Sequence, residues 1–388
     1  MQSAHDLTVL NQPKTHRPNP ITKAGPPTGG RSAVSGHVAT VFGCTGFLGR
    51  YLVAKLAKEG TQVIVPYRDE DSKRHLKVMG DLGQIVPLEW DARNAEQIHE
   101  CVRHSDTVYN LVGRDWETRN FTYEDVHIKI PQLIAEVSAA SGVDQLIHVS
   151  HLNAAPNSAS EVYRTKYAGE RAVRDAFPNA TIVRPGSMYG QEDWLLNAAA
   201  QYPILFKLNN TKILPVHVLD VAQALKGMLD APVTSVASTF SLPGPALHTY
   251  ESILELVDTL TMRGKTELPK VPKPIAKAFA SVVNTCVWWP TISPDELVRR
   301  YIDDAGVSAF TPKDSSAYPA GWAPAEKVDT LPGIDGEPVK SWTELMMEPD
   351  HIEEHAIKYV RRYRTSANFD VPVELGHFKA PKPYHVVP

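Results

Sequence analysis

Short apolar runs alternate with longer stretches of helical periodicity between His37 and about Pro185. The runs are rich in β-branched residues and apolar almost throughout, as expected of strands that are covered on both faces. The intervening stretches repeat apolar residues every three or four positions, which is typical of helices that pack one face on a sheet. The pattern therefore predicts an α/β fold with a doubly wound parallel sheet. The predicted strands are 38–42, 62–66, 84–89, 106–112, 144–150 and 180–184, and the predicted helices lie near 47–59, 94–104, 121–140 and 161–177.

The pattern weakens after Gly190, and this change sets the predicted domain boundaries. We place the sheet domain at 37–190 and a smaller, mixed C-terminal lobe at 191–304. Residues 305–388 contain ten prolines, so most of this segment cannot build a core of its own, and we expect an extended proline-rich tail that wraps its own domain or a partner. The lobe has predicted helices near 219–230, 249–263 and 274–289 and a strand near 237–242, and the tail has one helix near 349–364.

Residues 1–36 carry four basic residues, a single acid and five prolines. The basic bias is typical of a mitochondrial targeting segment, whereas the prolines prevent the amphipathic helix that import receptors bind. We therefore expect an extended N-terminal arm from which a presequence has already been removed, and a mitochondrial matrix location.

Composition narrows the classes of function. The 388 residues carry a net charge of −4, so no bulk field attracts the molecule to nucleic acid, and we expect no nucleic-acid partner. Three scattered cysteines, Cys44, Cys101 and Cys286, argue against a disulfide framework or an iron–sulfur cluster and favour a reducing compartment. The longest uncharged stretch is rich in proline, serine and threonine, so we predict no transmembrane helix.

The first predicted strand runs directly into Gly43-Cys44-Thr45-Gly46-Phe47-Leu48-Gly49, which leads into the first helix. Glycines are needed in such a loop because the turn is tight, the backbone approaches a pyrophosphate, and the helix sits close to the sheet with its first N–H groups facing the anion. The order of strand, loop and helix predicts a Rossmann-like dinucleotide site. A purely structural glycine turn is the alternative.

Two side chains beyond this loop bear on the identity of the nucleotide. The second strand ends at Arg68, where an NAD-binding fold usually places an acid for the ribose hydroxyls. A guanidinium there pairs with a 2′-phosphate and favours NADPH, although a solvated surface arginine is the alternative. Asp91, beyond the third strand, is placed either to bind the adenine amino group or simply to cap its own loop.

Further motifs follow the later strands: Asn110-Leu111-Val112-Gly113 after the fourth, Val149-Ser150 after the fifth, and Arg184-Pro185-Gly186-Ser187-Met188-Tyr189-Gly190 after the sixth. With these motifs and the glycine loop, residues 37–300 resemble an extended short-chain dehydrogenase/reductase. The resemblance implies a nucleotide site whose candidate residues are Gly43, Thr45, Gly46, Phe47, Leu48, Gly49, Arg68, Asp91, Leu111, Val112, Gly113, Val149, Ser150, Lys166 and Pro185.

Three other stretches, 35–43, 148–154 and 166–170, are similar to one narrower family, the NADPH-binding accessory subunits of mitochondrial respiratory complex I. This family is an atypical, non-catalytic branch of the dehydrogenases. The resemblance implies NADPH as a structural ligand, a peripheral location on the matrix side of the inner membrane, and a role in assembly or stability. The implied partners are other complex I subunits of the peripheral arm, near its junction with the membrane arm.

The spacing of the expected catalytic pair is unusual. Active members of the superfamily place a tyrosine four residues before a lysine on one helix, and the tyrosine transfers the proton. Here Val162 lies four residues before Lys166, and Tyr163 lies three before it. Three residues advance a helix by only ~300° instead of ~400°, so the phenol points away from the required direction. We therefore expect no catalytic residue, unless a local π-bulge restores the pairing.

Other functions remain open at this point. One is an active NADP-dependent reductase or epimerase, and another is a nucleotide-sensing or RNA-binding relative. His351-Ile352-Glu353-Glu354-His355 has the spacing of an inverted zinc-peptidase motif, but it stands in the proline-rich tail without an obvious third ligand, so we expect no metal site. The apolar stretch that ends at Trp288-Trp289 suits either a protein contact or a membrane surface, so peripheral lipid contact is a second partner class. The basic cluster at 358–364 is either a lipid or partner contact or a solvated helix end.

Overall fold

A computed structural model describes residues 35–206, 211–230, 236–264, 273–286, 293–305, 333–373 and 375. Tertiary contacts divide the chain into two compact units. The first comprises Met1–Pro185, Val218–Leu242 and Thr330–Met347, and the second comprises Gly186–His217, Pro243–Asp329 and Glu348–Pro388. Within the described residues, no helix combines the length and apolar character that crossing a membrane requires.

The first unit is built on a seven-stranded sheet in which every neighbouring pair of strands is parallel. The strands are β1 Val38–Phe42, β2 Gln62–Tyr67, β3 Ile85–Glu89, β4 Thr107–Asn110, β5 Gln145–Val149, β6 Thr181–Pro185 and β10 Thr239–Leu242. Their spatial order is β10-β6-β5-β4-β1-β2-β3. The predicted doubly wound Rossmann-like sheet is therefore confirmed.

Helices cover this sheet, and its strands are therefore buried over most of their length. The helices are α1 Phe47–Lys58, α2 Arg74–Lys77, α3 Ala95–Val102, α4 Ile130–Ala140, α5 Glu161–Ala176 and α7 Val218–Asp230, with short 3₁₀ turns at Asp71–Lys73 and Ile334–Gly336. The predicted helix 121–140 contains a π-helical segment, Asp125–Lys129, directly before α4. The core of the unit includes Phe42 and Trp90, whose rings meet edge to face at 4.9 Å.

The strand order changes direction at β1, which has β4 on one side and β2 on the other. Phe42 pairs with Asn110 at the carboxyl ends of β1 and β4, so the residues that follow each strand leave the sheet side by side. Ligands of open α/β sheets bind at such a switch point, because the loops diverge there and leave a crevice.

The first unit contains more of the chain than the predicted boundary at 190 allows. The strand predicted near 237–242 belongs to the main sheet, because β10 pairs with β6 from Thr239↔Ile182 to Leu242↔Pro185. The helix before it also belongs to the first unit and not to the smaller lobe. Residues 333–347 also join this unit through a bridge between Phe240 and Lys340. A segment of the predicted tail therefore contributes to the sheet domain.

The second unit is mixed and has its own apolar core, which includes Leu196, Ile253, Leu256, Ile352 and Ala356. Its strands form two small ladders, β7 Met188–Tyr189 with β9 Val216–His217, and β8 Lys212–Ile213 with β11 His248–Thr249. Its helices are α6 Leu196–Gln201, α8 Tyr250–Thr261, α9 Lys273–Cys286, α10 Pro294–Arg299 and α11 Ile352–Val360, with 3₁₀ turns at Pro203–Phe206, Arg361–Tyr363 and Ser366–Asn368. Thr249 and Ser252 form a capping box that begins α8.

Several predictions concern residues outside the described part of the chain. These are most of the N-terminal arm, Trp288-Trp289, and the tail at 306–332 and 376–388.

Candidate functional site

Gly43 makes the turn from β1 into the loop that precedes α1. Its φ of +82° lies in the left-handed region, which favours glycine. A Cβ at this position would also lie 2.9 Å from both the carbonyl carbon and the carbonyl oxygen of Leu111, the first residue after β4. The register of β1 and β4 brings these two backbones together, so only glycine fits both the conformation and the space.

The other two glycines set the distance between the loop and α1. Gly46 is the N-cap residue of α1 and donates its N–H to the carbonyl oxygen of Gly43 at 3.0 Å. A Cβ on Gly49 would overlap that same oxygen and would lie 2.6 Å from Cα of Cys44. The helix therefore begins in direct contact with the loop. Because no described side chain caps it, its first N–H groups are available to an anion.

The remaining loop residues divide between binding and packing. Thr45 lines the cavity in front of α1 together with Gly43 and Gly46. Leu48 is buried in the sheet–helix core, and the ring of Phe47 packs edge to face on Tyr51 at 5.7 Å. The two side chains therefore position the start of α1, and the predicted contribution of Phe47 and Leu48 to the nucleotide site falls to their backbone N–H groups at the helix N-terminus.

The cavity extends from the glycine loop across the ends of β2, β3 and β4. It contains Arg68 at one side and the backbone after β4 at the other. The lining residues are Gly43, Thr45, Gly46, Pro66, Arg68, Trp90, Ala92, Leu111, Val112, Gly113, Arg114, Phe121, Val126 and Ile130. Seven of the predicted site residues thus line one cavity: Gly43, Thr45, Gly46, Arg68, Leu111, Val112 and Gly113.

Two arginines share this cavity. Arg68 is exposed, whereas Arg114 is partly buried. Burial lowers the pKa of Arg114, and the positive charge of Arg68 lowers it further. Two guanidinium groups near a helix N-terminus make this cavity suitable for an anionic ligand. Arg114 was not predicted from the sequence, although it directly follows the Asn110–Gly113 motif.

Asp91 lies beside the cavity and outside its lining. Its neighbours Trp90 and Ala92 line the cavity, while its own carboxylate accepts the backbone N–H of Arg93 at 3.0 Å. This contact is the loop-capping role that was the alternative for Asp91.

Lys166 connects the cavity to the end of β5. Its ammonium group donates to the carbonyl oxygen of Ser150 at 3.3 Å, and its Nζ lies 3.8 Å from where a Cβ on Gly113 would stand. Val149 and Ser150 are buried, and the Ser150 hydroxyl has no hydrogen-bond partner among the described residues. Pro185 ends the neighbouring strand, and its carbonyl oxygen accepts the N–H of Leu152 at 2.9 Å. An unpaired buried hydroxyl is costly, so its position next to Lys166 fits a ligand with polar groups.

The helix that carries Lys166 is α-helical along the whole of Glu161–Ala176, and the π-helical segment of the unit lies elsewhere, at Asp125–Lys129. Val162 is buried and lies one regular turn before Lys166. Tyr163 is also buried, and its ring centroid lies 4.7 Å from that of His151.

Two buried histidines flank Lys166 and stay neutral. Burial, followed by the charge of Lys166, lowers the pKa of His127 and of His148 from 6.5 to about 3 in each case. His127 Nε2 accepts the N–H of Arg114 at 3.3 Å, and its Nδ1 lies 2.9 Å from the Thr165 hydroxyl. The imidazoles beside Lys166 therefore act as neutral hydrogen-bonding groups.

The dinucleotide that the fold implies can be tested against these residues. The loop offers a backbone cradle whose space a Cβ would fill, and the cavity has two guanidinium groups. Ser150 has a buried, unpaired hydroxyl, and its carbonyl oxygen accepts from the Lys166 ammonium group. The pyrophosphate of a dinucleotide matches the cradle and the cationic groups, and the nicotinamide ribose matches the hydroxyl and the ammonium group. The residues present therefore fit a nicotinamide dinucleotide.

The basic cluster at 358–364 is largely engaged inside the second unit. Arg361 pairs with Asp370 at 2.6 Å, and Arg362 donates to Asn197 at 2.7 Å. Arg364 is buried and donates to the carbonyl oxygens of Leu260 and Val371. Three of the four cations of this cluster therefore have partners within the second unit.

Comparisons with known proteins agree with this geometry. A family model described as NAD(P)H-binding matches residues 43–232. The chain is 44% identical over 358 residues to the mitochondrial NADH-ubiquinone oxidoreductase 40 kDa subunit of Neurospora crassa, covering 91% of this chain and 87% of that protein. It is 38% identical over 344 residues to the mitochondrial NADH dehydrogenase [ubiquinone] 1 alpha subcomplex subunit 9 of Rattus norvegicus, covering 87% of this chain and 83% of that protein. Among solved structures, the triphenylmethane reductase of Citrobacter sp. matches with a TM-score of 0.59 at 15% identity, covering 84% of this chain and 99% of that chain, and shares the fold.

Proposed function

The chain belongs to the family of the mitochondrial NADH-ubiquinone oxidoreductase 40 kDa and alpha subcomplex subunit 9 proteins, and from this premise we propose that it is an accessory subunit of complex I that holds NADPH as a structural ligand. Residues 43–232, which match the NAD(P)H-binding family model, contain the glycine loop, both arginines of the cavity and Lys166. In this proposal the subunit has no turnover of its own.

The observation that carries the proposal is the uninterrupted α-helix Glu161–Ala176 with Val162 one turn before Lys166. A proton donor belongs at the position of Val162 in an active dehydrogenase, and an isopropyl group cannot donate a proton. Tyr163 lies one residue further along, rotated by ~100° about the helix axis, and packs against His151. Lys166 still lies where it can hold the nicotinamide ribose, which supports retention of the nucleotide without reduction of a substrate.

The preference for NADPH rests on Arg68 and Arg114. A dianionic 2′-phosphate matches two guanidinium groups, and NADH carries no such group. The backbone N–H groups at the start of α1 would hold the pyrophosphate, and Lys166 and the Ser150 hydroxyl would hold the nicotinamide ribose. A bound dinucleotide supplies binding free energy to the native state, about 2.7 kcal/mol when the nucleotide is present at 100 times its dissociation constant.

The proposed location is the matrix face of the inner membrane, on the peripheral arm near the junction with the membrane arm. The relatives are named as mitochondrial complex I subunits, and the part of the chain that the structure describes has no membrane-spanning helix. A subunit of this kind contacts other complex I subunits and contributes to their assembly or stability. A peripheral lipid contact would fall to the stretch that ends at Trp288-Trp289.

A second candidate function is an active NADP-dependent reductase or epimerase. The buried Ser150 hydroxyl beside Lys166 favours it, because the superfamily uses a strand-end hydroxyl to orient its substrate. In this case Tyr163 would have to act as the proton donor from its present position. Replacing Tyr163 by phenylalanine would then abolish NADPH-dependent turnover and leave nucleotide binding intact.

The decisive experiment is native electrophoresis of solubilised mitochondrial membranes, with mass spectrometry of each band and of the nucleotide released on denaturation. We expect the chain to co-migrate with the large respiratory assembly and to release NADPH in about equal amount. Stripping the nucleotide should lower the melting temperature of the purified protein. A free monomeric pool that reduces carbonyl or sugar-nucleotide substrates, with turnover lost in Tyr163→Phe, would establish the second candidate in its place.

A further inference from the structure

The second unit brings together two histidines and an aspartate that lie far apart in the sequence. His217 ends β9, Asp350 precedes α11, and His355 lies on the first turn of α11. One ligand atom from each residue lies within 4.8 Å of the other two. The spacing of His351 and His355 suggested a zinc-peptidase motif in the sequence, but in the structure His355 clusters with His217 and Asp350.

The distances within this cluster are close to those of a metal site. Asp350 Oδ2 lies 2.8 Å from His355 Nε2 and 3.8 Å from His217 Nδ1. Zinc–ligand bonds of ~2.0–2.1 Å in a tetrahedron place ligand atoms about 3.3 Å apart. The rings of His217 and His355 stack with their planes 14° apart, so the His355 ring has to turn out of this stack to bring the three atoms onto one ion. The Asp350 side chain is 44% exposed, which gives an ion a route from solvent.

The surroundings orient His217 as the outer contacts of a metal site do. Its ring is buried between Tyr189, at a centroid distance of 5.1 Å, and His355, at 4.4 Å. The Tyr359 hydroxyl lies 2.8 Å from His217 Nε2. When Nε2 carries the proton and donates it to the phenol, the lone pair on Nδ1 faces Asp350. A hydrogen bond on the second nitrogen is the usual device that fixes a metal-ligating histidine.

We propose that His217, Asp350 and His355 form a binding site for a divalent transition-metal ion of the zinc class, with water as a fourth ligand. Two imidazoles and one carboxylate suit such an ion, whereas Mg²⁺ and Ca²⁺ take oxygen ligands. Binding requires the proton on His355 Nε2, which now faces Asp350, to move to Nδ1. The exposed ammonium group of Lys358 lies 2.8 Å from that Nδ1, so Lys358 has to turn to solvent when Nδ1 takes the proton. The ion ties β9 to α11 and so stabilises the second unit.

The test uses the purified full chain, stripped with a chelator and dialysed against Zn²⁺, with the bound metal measured by mass spectrometry. We expect one zinc per chain, a raised melting temperature, and the visible absorption of tetrahedral Co²⁺ after cobalt substitution. His355→Ala, at a half-buried position, and His217→Gln should each weaken binding at least tenfold. Tyr359→Phe should weaken it about tenfold, because it removes only the orienting contact.

His351→Ala is the matched control, because it removes an imidazole from the same segment outside the proposed ligand set. It should bind zinc as the wild type does. The proposal is overturned if the folded wild-type chain binds no zinc, or if it binds zinc with an affinity that His355→Ala and His217→Gln leave unchanged. Circular dichroism of each variant separates loss of the ligand from loss of the fold, and His355→Ala decides the question if His217→Gln does not fold.

Discussion

Replacing Arg114 by methionine tests the proposed 2′-phosphate site most directly. The Arg114 side chain is partly buried, lines the cavity in front of the glycine loop, and lies close enough to Arg68 for the charge of Arg68 to lower its pKa. Methionine keeps most of the length and apolar surface of the side chain and removes the charge. The backbone N–H of Arg114, which donates to His127, is unaffected.

The expected magnitude follows from the environments of the two arginines. A hydrogen bond to a charged group in a partly buried site is worth about 1.5–3 kcal/mol. At about 1.4 kcal/mol for each factor of ten, Arg114→Met should weaken NADPH binding by roughly 10- to 150-fold. Arg68 is exposed, so Arg68→Met should cost only about 0.2–1 kcal/mol, which is at most about fivefold. NADH has no 2′-phosphate, so both variants should bind it as the wild type does.

The assay is titration of nucleotide-stripped protein with NADPH and with NADH, followed by calorimetry or by the fluorescence of the reduced nicotinamide. Arg119→Met serves as the control, because it removes the same charge from the same loop at a residue outside the cavity lining. The reasoning is refuted if Arg114→Met weakens both nucleotides equally, or if it weakens NADPH no more than Arg119→Met does.

Three further predictions concern stability and are measured by urea denaturation. A Cβ on Gly169 would overlap a backbone carbonyl oxygen of the π-helical segment, so Gly169→Ala should lower the free energy of unfolding by about 1–3 kcal/mol. Gly227 lies in open space within α7, so Gly227→Ala should raise the free energy of unfolding by about 0.5–1 kcal/mol. Equal effects of the two variants would contradict the packing argument. Glu170 and Arg184 form a fully buried pair at 2.6 and 3.0 Å, so Glu170→Gln should cost about 3–5 kcal/mol, and a loss below about 1 kcal/mol would count against it. Burial lowers the pKa of His148 from 6.5 to about 3 in the folded chain, so between pH 6.5 and pH 3 the unfolded chain binds more protons than the folded chain. The free energy of unfolding should therefore fall as the pH drops through this window. His148→Gln should make this fall less steep by up to ~1.4 kcal/mol per pH unit.

Much of the first unit could be predicted because its signals are local. The six strands predicted between 38 and 184 all form, within two residues of their predicted ends, since a strand buried on both faces needs a continuous apolar run. The glycine loop could be located for the same reason. Gly43 needs its left-handed φ in any chain that turns from this strand into this helix, and that requirement is visible in the residue itself.

The parts that could not be predicted all depend on residues distant in sequence. The strand Thr239–Leu242 has the same local pattern whether it belongs to the main sheet or to the second unit, and only its pairing with β6 assigns it. Arg68 and Arg114 reach one cavity because β2 and β4 flank β1, and no spacing along the chain encodes that order. His217 meets His355 for a similar reason, while the closer and better-spaced His351 does not join them.

The sequence by itself thus determined which segments form strands and helices and where a phosphate can be bound, because backbone conformation and apolar periodicity are properties of neighbouring residues. Only the tertiary structure decided which side chains share a site. Strand order and unit boundaries follow from the burial of whole apolar faces against one another, and this burial depends on the entire chain at once.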